Sequence, residues 1–319
     1  MKAKTDFAEK GRLSVNFQQL RIVRETVRQN YNLTEVANVL HTSQSGVSKH
    51  IKDLEDELGV ELYVRKGKRL LGLTDPGREM LKLVERMLLD ASNIKNLADQ
   101  YSQQDAGVLT VAATHTQARY VLPRVITAFK KQYPKVHLRL HQGSPKEIAQ
   151  LLLEGEADIG FATESLGDIE ELASFPFYAW RHAVVVPKNH PLARVESLTL
   201  AAIAEYPIIT YHEGFTGRAR VEQVFQEAGL SPDIIMSALD ADVIKSYVEL
   251  ELGIGIIASV AFSPERDYSL KLLDSSHLFL QNETKLAVRK GHLLRRYGFR
   301  FIEMCSPELT ESLVLSRVR

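Results

Sequence analysis

NLTEVANVLHTSQSGVSKHIKDLEDELG, residues 32–59, is the stretch on which the reading of the chain turns. It holds two short apolar patterns of helical period, separated by a polar turn. Thr34 is placed to cap the first helix, with Val36, Ala37 and Leu40 on one face. His41 and Thr42 end that helix. Ser43 is placed to cap the second, in which Val47, Ile51, Leu54 and Leu58 recur at steps of three and four, and Gly59 supplies the stop. Two helices joined this way form the pattern of a helix-turn-helix, whose second helix enters a DNA major groove with its N-terminal residues foremost. An ordinary helical hairpin with a polar surface fits the stretch as well.

The residues that start the second helix and line its exposed face are Thr42, Ser43, Gln44, Ser45, Ser48, Lys49 and Lys52. Short hydroxyls and an amide suit base edges and phosphates, and lysines neutralise backbone charge. Downstream, RKGKR at 65–69 places Arg65, Lys66, Lys68 and Arg69 around a glycine with no acid among them, as in a phosphate-contacting wing or a solvated turn. Phe17, Leu20, Ile22, Val23 and Val27 predict an earlier amphipathic helix under this unit. After the basic turn, residues 70–73 read as a short strand. Asp75 and Pro76 then start a long helix as N-cap and first helical residue. Met80, Val84, Met87, Ala91, Ile94, Ala98 and Tyr101 form a heptad seam along it. That seam fits a helix paired with another copy better than one lying on its own core.

Composition limits the alternatives. The 319 residues suffice for two or three domains, and 40 basic residues balance 40 acidic ones. Zero net charge argues against a protein that coats nucleic acid, but not against a specific binder with a local basic patch. Cys305 is the single cysteine, so no internal disulfide forms. No apolar run is long enough for a membrane span, and MKAKTDFAEKGRL lacks a signal-peptide core, so a cytoplasmic protein without a membrane partner is expected.

From Gly107 the texture changes to alternating strands and helices. Strands are predicted at 109–113, 136–141, 158–162, 184–187, 208–211, 234–237, 254–258 and 284–289. Helices are predicted at 118–133, 145–153, 199–205, 217–228, 241–252 and 294–304. Such alternation implies an α/β fold of mainly parallel sheets, with ligands beyond the carboxyl ends of strands and between lobes. The expected division is a disordered tail (1–15), a winged helix-turn-helix (16–75), a linker and dimerisation helix (76–106) and an effector region (107–319). Within that region one lobe spans about 107–175 and 280–305, and the other about 177–275.

Over nearly its whole length the sequence resembles the LysR-type transcriptional regulators, through TSQSGVSKHIKDLEDELGVELYVRKGKRLLGLTDPG at 42–77. Within them it is most similar to the CysB and Cbl branch. ATHTQARYVLP (113–123), HQGSP (141–145), GEADIGFATE (155–164), GFTGR (214–218) and DADVIKSYVELELGIG (240–255) carry that likeness, and NFQQLRIVRE (16–25) leans toward Cbl. The resemblance implies a two-lobed effector domain of periplasmic-binding-protein type, a homotetramer built as a dimer of dimers, promoter DNA and RNA polymerase as partners, and a sulfur-assimilation role. The implied effector is sulfate or adenosine 5′-phosphosulfate, with no other cofactor.

Thr114, Thr116 and Gln117 lie where a strand turns into a helix. Outward amides with neutral hydroxyl and amide donors suit a permanently charged oxyanion. On the residues alone, simple capping by Thr114 or Thr116 is the commoner use. The resemblance adds Thr163, Trp180 and Thr216. Trp180, Tyr211 and Phe215 are the candidates to lie against an adenine, Trp180 being equally suited to a lobe core. Other patterns are set aside. Gly253–Ala258 matches GxGxxA but reads as a strand following a helix. His137 and His141 share a strand face with no third metal ligand nearby. Cys305 reads as a packed residue. No placed nucleophile, base or metal cluster supports the rival reading of an enzyme acting on a sulfate ester or nucleotide. The missing export signal argues against a solute-binding receptor.

Overall fold

The computed structural model describes residues 14–102 and 105–318. The stretch expected to be a disordered tail lies, up to residue 13, outside them. The chain divides into two compact units, residues 1–95 and 96–319.

In the first unit, α1 (Phe17–Arg28) opens with a capping box between Asn16 and Gln19. It is followed by α2 (Leu33–Val39), α3 (Gln44–Leu58), the hairpin β1 (Tyr63–Lys66) and β2 (Arg69–Leu73), and the start of α4 (Asp75–Ser102). Ile22, Val36, Val47, Leu54, Leu62 and Tyr63 form the centre of one core. Ser43 caps α3 through the amide of Gly46, and Gly59 ends that helix with a left-handed residue. Two cap assignments move by a residue or two. Asn32, not Thr34, caps α2. Thr74, not Asp75, caps α4, its Oγ1 accepting the Gly77 amide at 3.1 Å. Phe17 is 52% exposed and lies outside the core face it was expected to join.

The seam along α4 splits. Val84 and Leu88 are buried in the first unit's core, while Met87, Ile94 and Tyr101 are exposed, joined by Leu83 and Leu97. Val84 is therefore spent on the unit's own core.

The second unit holds two five-stranded sheets. The first runs in the order β4 (Val136–Gln142), β3 (Gly107–Ala113), β5 (Ile159–Ala162), β12 (Asn282–Arg289), β6 (Leu172–Trp180). The second runs β11 (Leu270–Leu273), β7 (His182–Pro187), β10 (Ile254–Ala258), β8 (Ile208–Tyr211), β9 (Ile234–Ala238). Both are mixed rather than mainly parallel. β3 pairs in parallel with β4 and β5, and β8 with β9 and β10, but β12 and β7 are antiparallel to their neighbours. The reversed strands β12 and β7 each lie between two neighbours, and their outer neighbours, the edge strands β6 and β11, are not marked by the sequence pattern. The helices α5 (Leu122–Gln132), α6 (Pro145–Glu154), α10 (Arg296–Cys305) and α11 (Glu311–Val318) serve the first lobe. α7 (Leu200–Ala204), α8 (Arg218–Glu227) and α9 (Ala241–Glu249) serve the second. A five-residue π-helical turn, Gln117–Val121, precedes α5. Gly253–Ala258 contributes β10 to a sheet, not a phosphate loop.

The chain crosses between the lobes twice, at Arg181 and between β11 and β12. Arg181 Nη1 donates to the carbonyls of Phe279 (2.6 Å) and Ser276 (3.3 Å), pinning one crossover to the other.

Glu55 is a buried carboxylate of the first unit. Its Oε1 accepts the amides of Leu62 (2.7 Å) and Tyr63 (3.3 Å), and its Oε2 pairs with Arg65, fixing the base of the hairpin to α3. Glu55→Ala leaves those two amides dry and unpartnered and should cost about 2–4 kcal/mol in denaturant unfolding. A loss under about 0.5 kcal/mol would mean the carboxylate does not hold the hairpin.

Candidate functional site

The first unit presents a basic, concave face. Gln44, Ser45, Ser48 and Lys52 of α3 meet Arg65, Gly67 and Lys68 of the hairpin around a groove of about 490 Å³. Thr42, Ser43, Gln44, Ser45, Lys49 and Lys52 are exposed, and Ser48 is partly so. Ser43 is not free for base reading in this arrangement: its Oγ caps Gly46 at 3.1 Å and lies 3.1 Å from Ser45 Oγ. Arg65 is committed to Glu55. Lys66, Lys68 and Arg69 are exposed, as is Arg65 despite its pairing. A helix with a free polar N-terminus beside a cationic hairpin suits major-groove edges and flanking phosphates.

The second unit brings the other candidates together at the carboxyl ends of β3 and β5. Thr114, Thr116 and Gln117 are 6%, 2% and 1% exposed. Thr116 makes no side-chain cap, so helix capping does not account for it. The centre of the cluster is a residue the sequence reading left in a strand, Thr284. Its Oγ1 accepts from Trp180 Nε1 at 3.0 Å and from Gln117 Nε2 at 3.4 Å, and lies 3.3 Å from Thr163 Oγ1. Tyr178 OH donates to Gln117 Oε1 at 2.8 Å. Trp180 is thus both packed, at 4% exposed, and a hydrogen-bond donor.

Thr216 enters from the other lobe, in the turn before α8. It has φ 45°, and the glycines on either side of the turn, Gly214 and Gly217, are also left-handed. A Cβ on Gly217 would sit 2.4 Å from Asn282 Oδ1, so the turn is pressed onto that residue. His182 holds it in place. Its Nε2 lies 2.8 Å from Thr216 O, and a carbonyl only accepts, so the proton is on Nε2. Nδ1 then accepts from Asn282 Nδ2 at 3.3 Å. Burial pushes the His182 pKa down to about 4, keeping the ring neutral. Gly217 N donates to Glu164 Oε1 across the lobes.

Phe215 is half-buried against the core around Trp180 and Tyr211, its ring centroid 6.4 Å from that of His212. Tyr211 does not fit an adenine-stacking role: it is fully buried, and its hydroxyl accepts the Ala258 amide at 3.0 Å. Glu164, Tyr178, His182, Asn282 and Thr284 were missed as site residues. The one local signal was in NETKLAVR at 282–289, where Asn and Thr occupy the buried phase of a strand.

A second contact spans the lobes. Asp242, at the start of α9, accepts from Tyr120 OH (2.5 Å), His115 Nε2 (3.1 Å) and Arg119 Nε (3.3 Å). Lys245 Nζ stands 3.5 Å away, held also by Asp267. His115, Asp240 and Asp242 converge like metal ligands, but Arg119 and Lys245 already supply the positive charge there.

A winged helix-turn-helix followed by a long helix and a two-lobed α/β module defines a DNA-binding regulator with a ligand-type cleft. The comparisons agree. Residues 17–78 match the model of the bacterial regulatory helix-turn-helix proteins of the lysR family, and residues 102–310 match the LysR substrate binding domain. The chain belongs to the LysR family of transcriptional regulators. It is 58% identical over 305 residues to the HTH-type transcriptional regulator SsuR of Burkholderia cenocepacia, covering 96% of this chain and 99% of that one. It is 53% identical to the regulator Cbl of Escherichia coli, over 93% and 94% of the two chains. It is 51% identical to the regulator CysB of B. cenocepacia, over 94% and 96%. The crystal structure of the cofactor-binding domain of the Cbl transcriptional regulator matches with TM-score 0.65 and 47% identity, covering 67% of this chain and 93% of that one. No helix among the described residues is long and apolar enough to cross a membrane.

The Asp242 contact makes stability depend on pH with a definite sign. The His115 pKa is raised above 6.5, chiefly by its hydrogen bond to Asp242 and against burial. Its contribution is therefore full below 6.5 and is lost as pH rises through the raised value. The Asp242 pKa is held below 3.8, chiefly by the hydrogen bond from His115. Its contribution is present above 3.8 and is lost as pH falls. Melting temperature should peak between about pH 4 and 6.5, and His115→Gln should flatten the decline on the alkaline side. An identical alkaline slope in the variant would exclude His115 as its source.

Proposed function

We propose that this regulator activates genes of sulfur assimilation and organosulfonate use, and that sulfate or adenosine 5′-phosphosulfate binds between its lobes. The relatives SsuR, Cbl and CysB point to the sulfur role over nearly the whole chain. The observation that carries the effector reading is the meeting of Gln117, Thr163 and Trp180 on Thr284, with the turn that holds Thr216 in the other lobe bonded through Gly217 to Glu164, next to Thr163. Neutral, preplaced donors suit an anion that stays charged at every physiological pH. In this reading the ligand is held and released unchanged.

The helix α4 (Asp75–Ser102) pairs protomers through Met87, Ile94 and Tyr101, and two dimers form a tetramer on promoter DNA. Ser45, Ser48, Gln44 and Lys49 read or flank the bases, and Lys66, Lys68 and Arg69 hold phosphates. Anion binding shifts the population between two lobe arrangements, and so changes how the tetramer bends DNA and recruits RNA polymerase.

Two measurements test this. Calorimetric titration of the full chain with sulfate and with adenosine 5′-phosphosulfate should give binding that Thr114→Ala weakens about 10–100-fold, as for one lost hydrogen bond to a charged group. Equal affinity in the variant would remove Thr114 from the site. On promoter DNA, Lys66→Ala with Lys68→Ala should reduce the slope of log affinity against log salt by about 2, one unit for each phosphate contact. An unchanged slope would take the hairpin lysines off the DNA.

A further inference from the structure

Glu164 follows Thr163 and reaches across the cleft to the turn before α8. Its Oε1 accepts the Gly217 amide, while its Oε2 is buried with no hydrogen-bond partner among the described residues. A carboxylate oxygen only accepts, and leaving one dry and unpartnered is costly. Burial raises the Glu164 pKa against the pull of Gly217 and of Arg220. Several donors of the surrounding site are used elsewhere, although Arg218 Nε is, like Glu164 Oε2, buried with no hydrogen-bond partner among the described residues. Trp180 and Gln117 donate to Thr284, Tyr178 donates to Gln117, and Arg218 donates to Tyr211 O (2.5 Å) and Glu222 (2.7 Å). A second unpartnered acceptor faces the same turn: Asn282, 1% exposed, directs its Oδ1 at Gly217.

These acceptors sit among the residues assigned to the effector. Free sulfate carries no hydrogen at neutral pH. Beside Glu164 it brings repulsion and nothing for Oε2 to accept. A sulfate joined to a hydroxyl-bearing group places its anion on the threonine and amide donors and leaves a hydroxyl for the carboxylate. A site built to hydrogen-bond a substrate hydroxyl rejects the analogue that lacks it, because the buried polar group is then left alone.

We propose that Glu164 is the specificity-determining residue of the cleft: its Oε2 accepts a hydroxyl of the effector. The cleft is then selective for a sulfate carried on a hydroxylated organic group, of the sugar-nucleotide kind, over free sulfate. This rests on the oxyanion reading of the cleft, and its test separates the two.

The full chain, Glu164→Gln and Glu164→Ala are titrated with sodium sulfate, adenosine 5′-phosphosulfate and the 2′,3′-dideoxy form of that nucleotide. In the wild-type chain the dideoxy form should bind at least tenfold more weakly than the parent. Glu164→Ala should bring the two within about threefold of each other. Glu164→Gln, nearly isosteric and neutral, should bind sulfate at least tenfold more tightly than the wild type, and stands alone as the test where the alanine variant does not fold. Equal wild-type affinity for the parent and dideoxy forms, or an unchanged sulfate affinity in Glu164→Gln, overturns the role of Glu164 and leaves the oxyanion reading standing. Failure of every form to bind every chain, with promoter DNA binding intact, overturns both.

Discussion

A buried donor has to find an acceptor, and here the buried indole of Trp180 and the amide of Gln117 find the same hydroxyl, that of Thr284. Thr284 sits near the start of β12, and Trp180 ends β6. The two strands pair antiparallel, with Asn282 opposite Trp180 and an irregularity after Thr284. These are also the strands through which the chain passes from one lobe to the other. The polar cluster and the hinge are therefore made of the same residues. A ligand that takes Trp180 or Gln117 away from Thr284 changes the contacts of the hinge strands directly. No separate relay is needed to turn binding into a change of lobe arrangement, because a ligand shifts such an equilibrium by its differential contacts with the two states.

The first unit was legible because its determinants are local. Val47, Ile51 and Leu54 share a helical face that needs no distant partner to be recognised, and Ser43 and Gly59 cap and stop it as read. The errors there are of one kind. Asn32 stands near Thr34, and Thr74 beside Asp75, so several residues of capping type compete and side-chain geometry decides. In the second unit the inner strands were legible, though not the reversed direction of β7 and β12, and the edge strands β6 and β11 were not. LASFPFYAW, residues 172–180, carries Pro176, which argues against a central strand; β6 tolerates it at the sheet edge. The same limit applies to the cleft. Thr114, Thr116 and Gln117 occupy one strand-to-helix turn, visible in sequence. Thr284 and Asn282 lie more than 100 residues from that turn, and only the sheet order brings them to it.

Charge in the first unit illustrates how a neutral protein presents a basic face. Arg65 sits in the same run as Lys66, Lys68 and Arg69, yet Glu55 captures it, and Glu55 in turn is held by two backbone amides. The pairing neutralises one cation of the hairpin and ties the hairpin to α3, leaving Lys66, Lys68 and Arg69 exposed. Phosphate contacts set register as well as affinity, so a rigid hairpin with three cations is a better positioning device than a mobile one with four.

The last turn of α4 is tied to the lobe that holds β3. Asn96 Nδ2 donates to Leu293 O at 3.4 Å, and Arg295 Nη2 donates to Asp99 O at 3.0 Å, a carbonyl near the helix C-terminus where a cation is favoured. Arg295 also stacks over Tyr297, whose hydroxyl donates to Val108 O at the start of β3. Gly107 has to be glycine at this junction, since its φ is 145° and a Cβ would meet Arg295 Nη1 at 2.4 Å. Thr114 follows the last residue of β3. One strand therefore has its first residues against the groups that hold the helix and runs directly into the effector candidates. β3 pairs with β4 along its whole length, so the end against the helix and the end beside Thr114 belong to one continuous ladder.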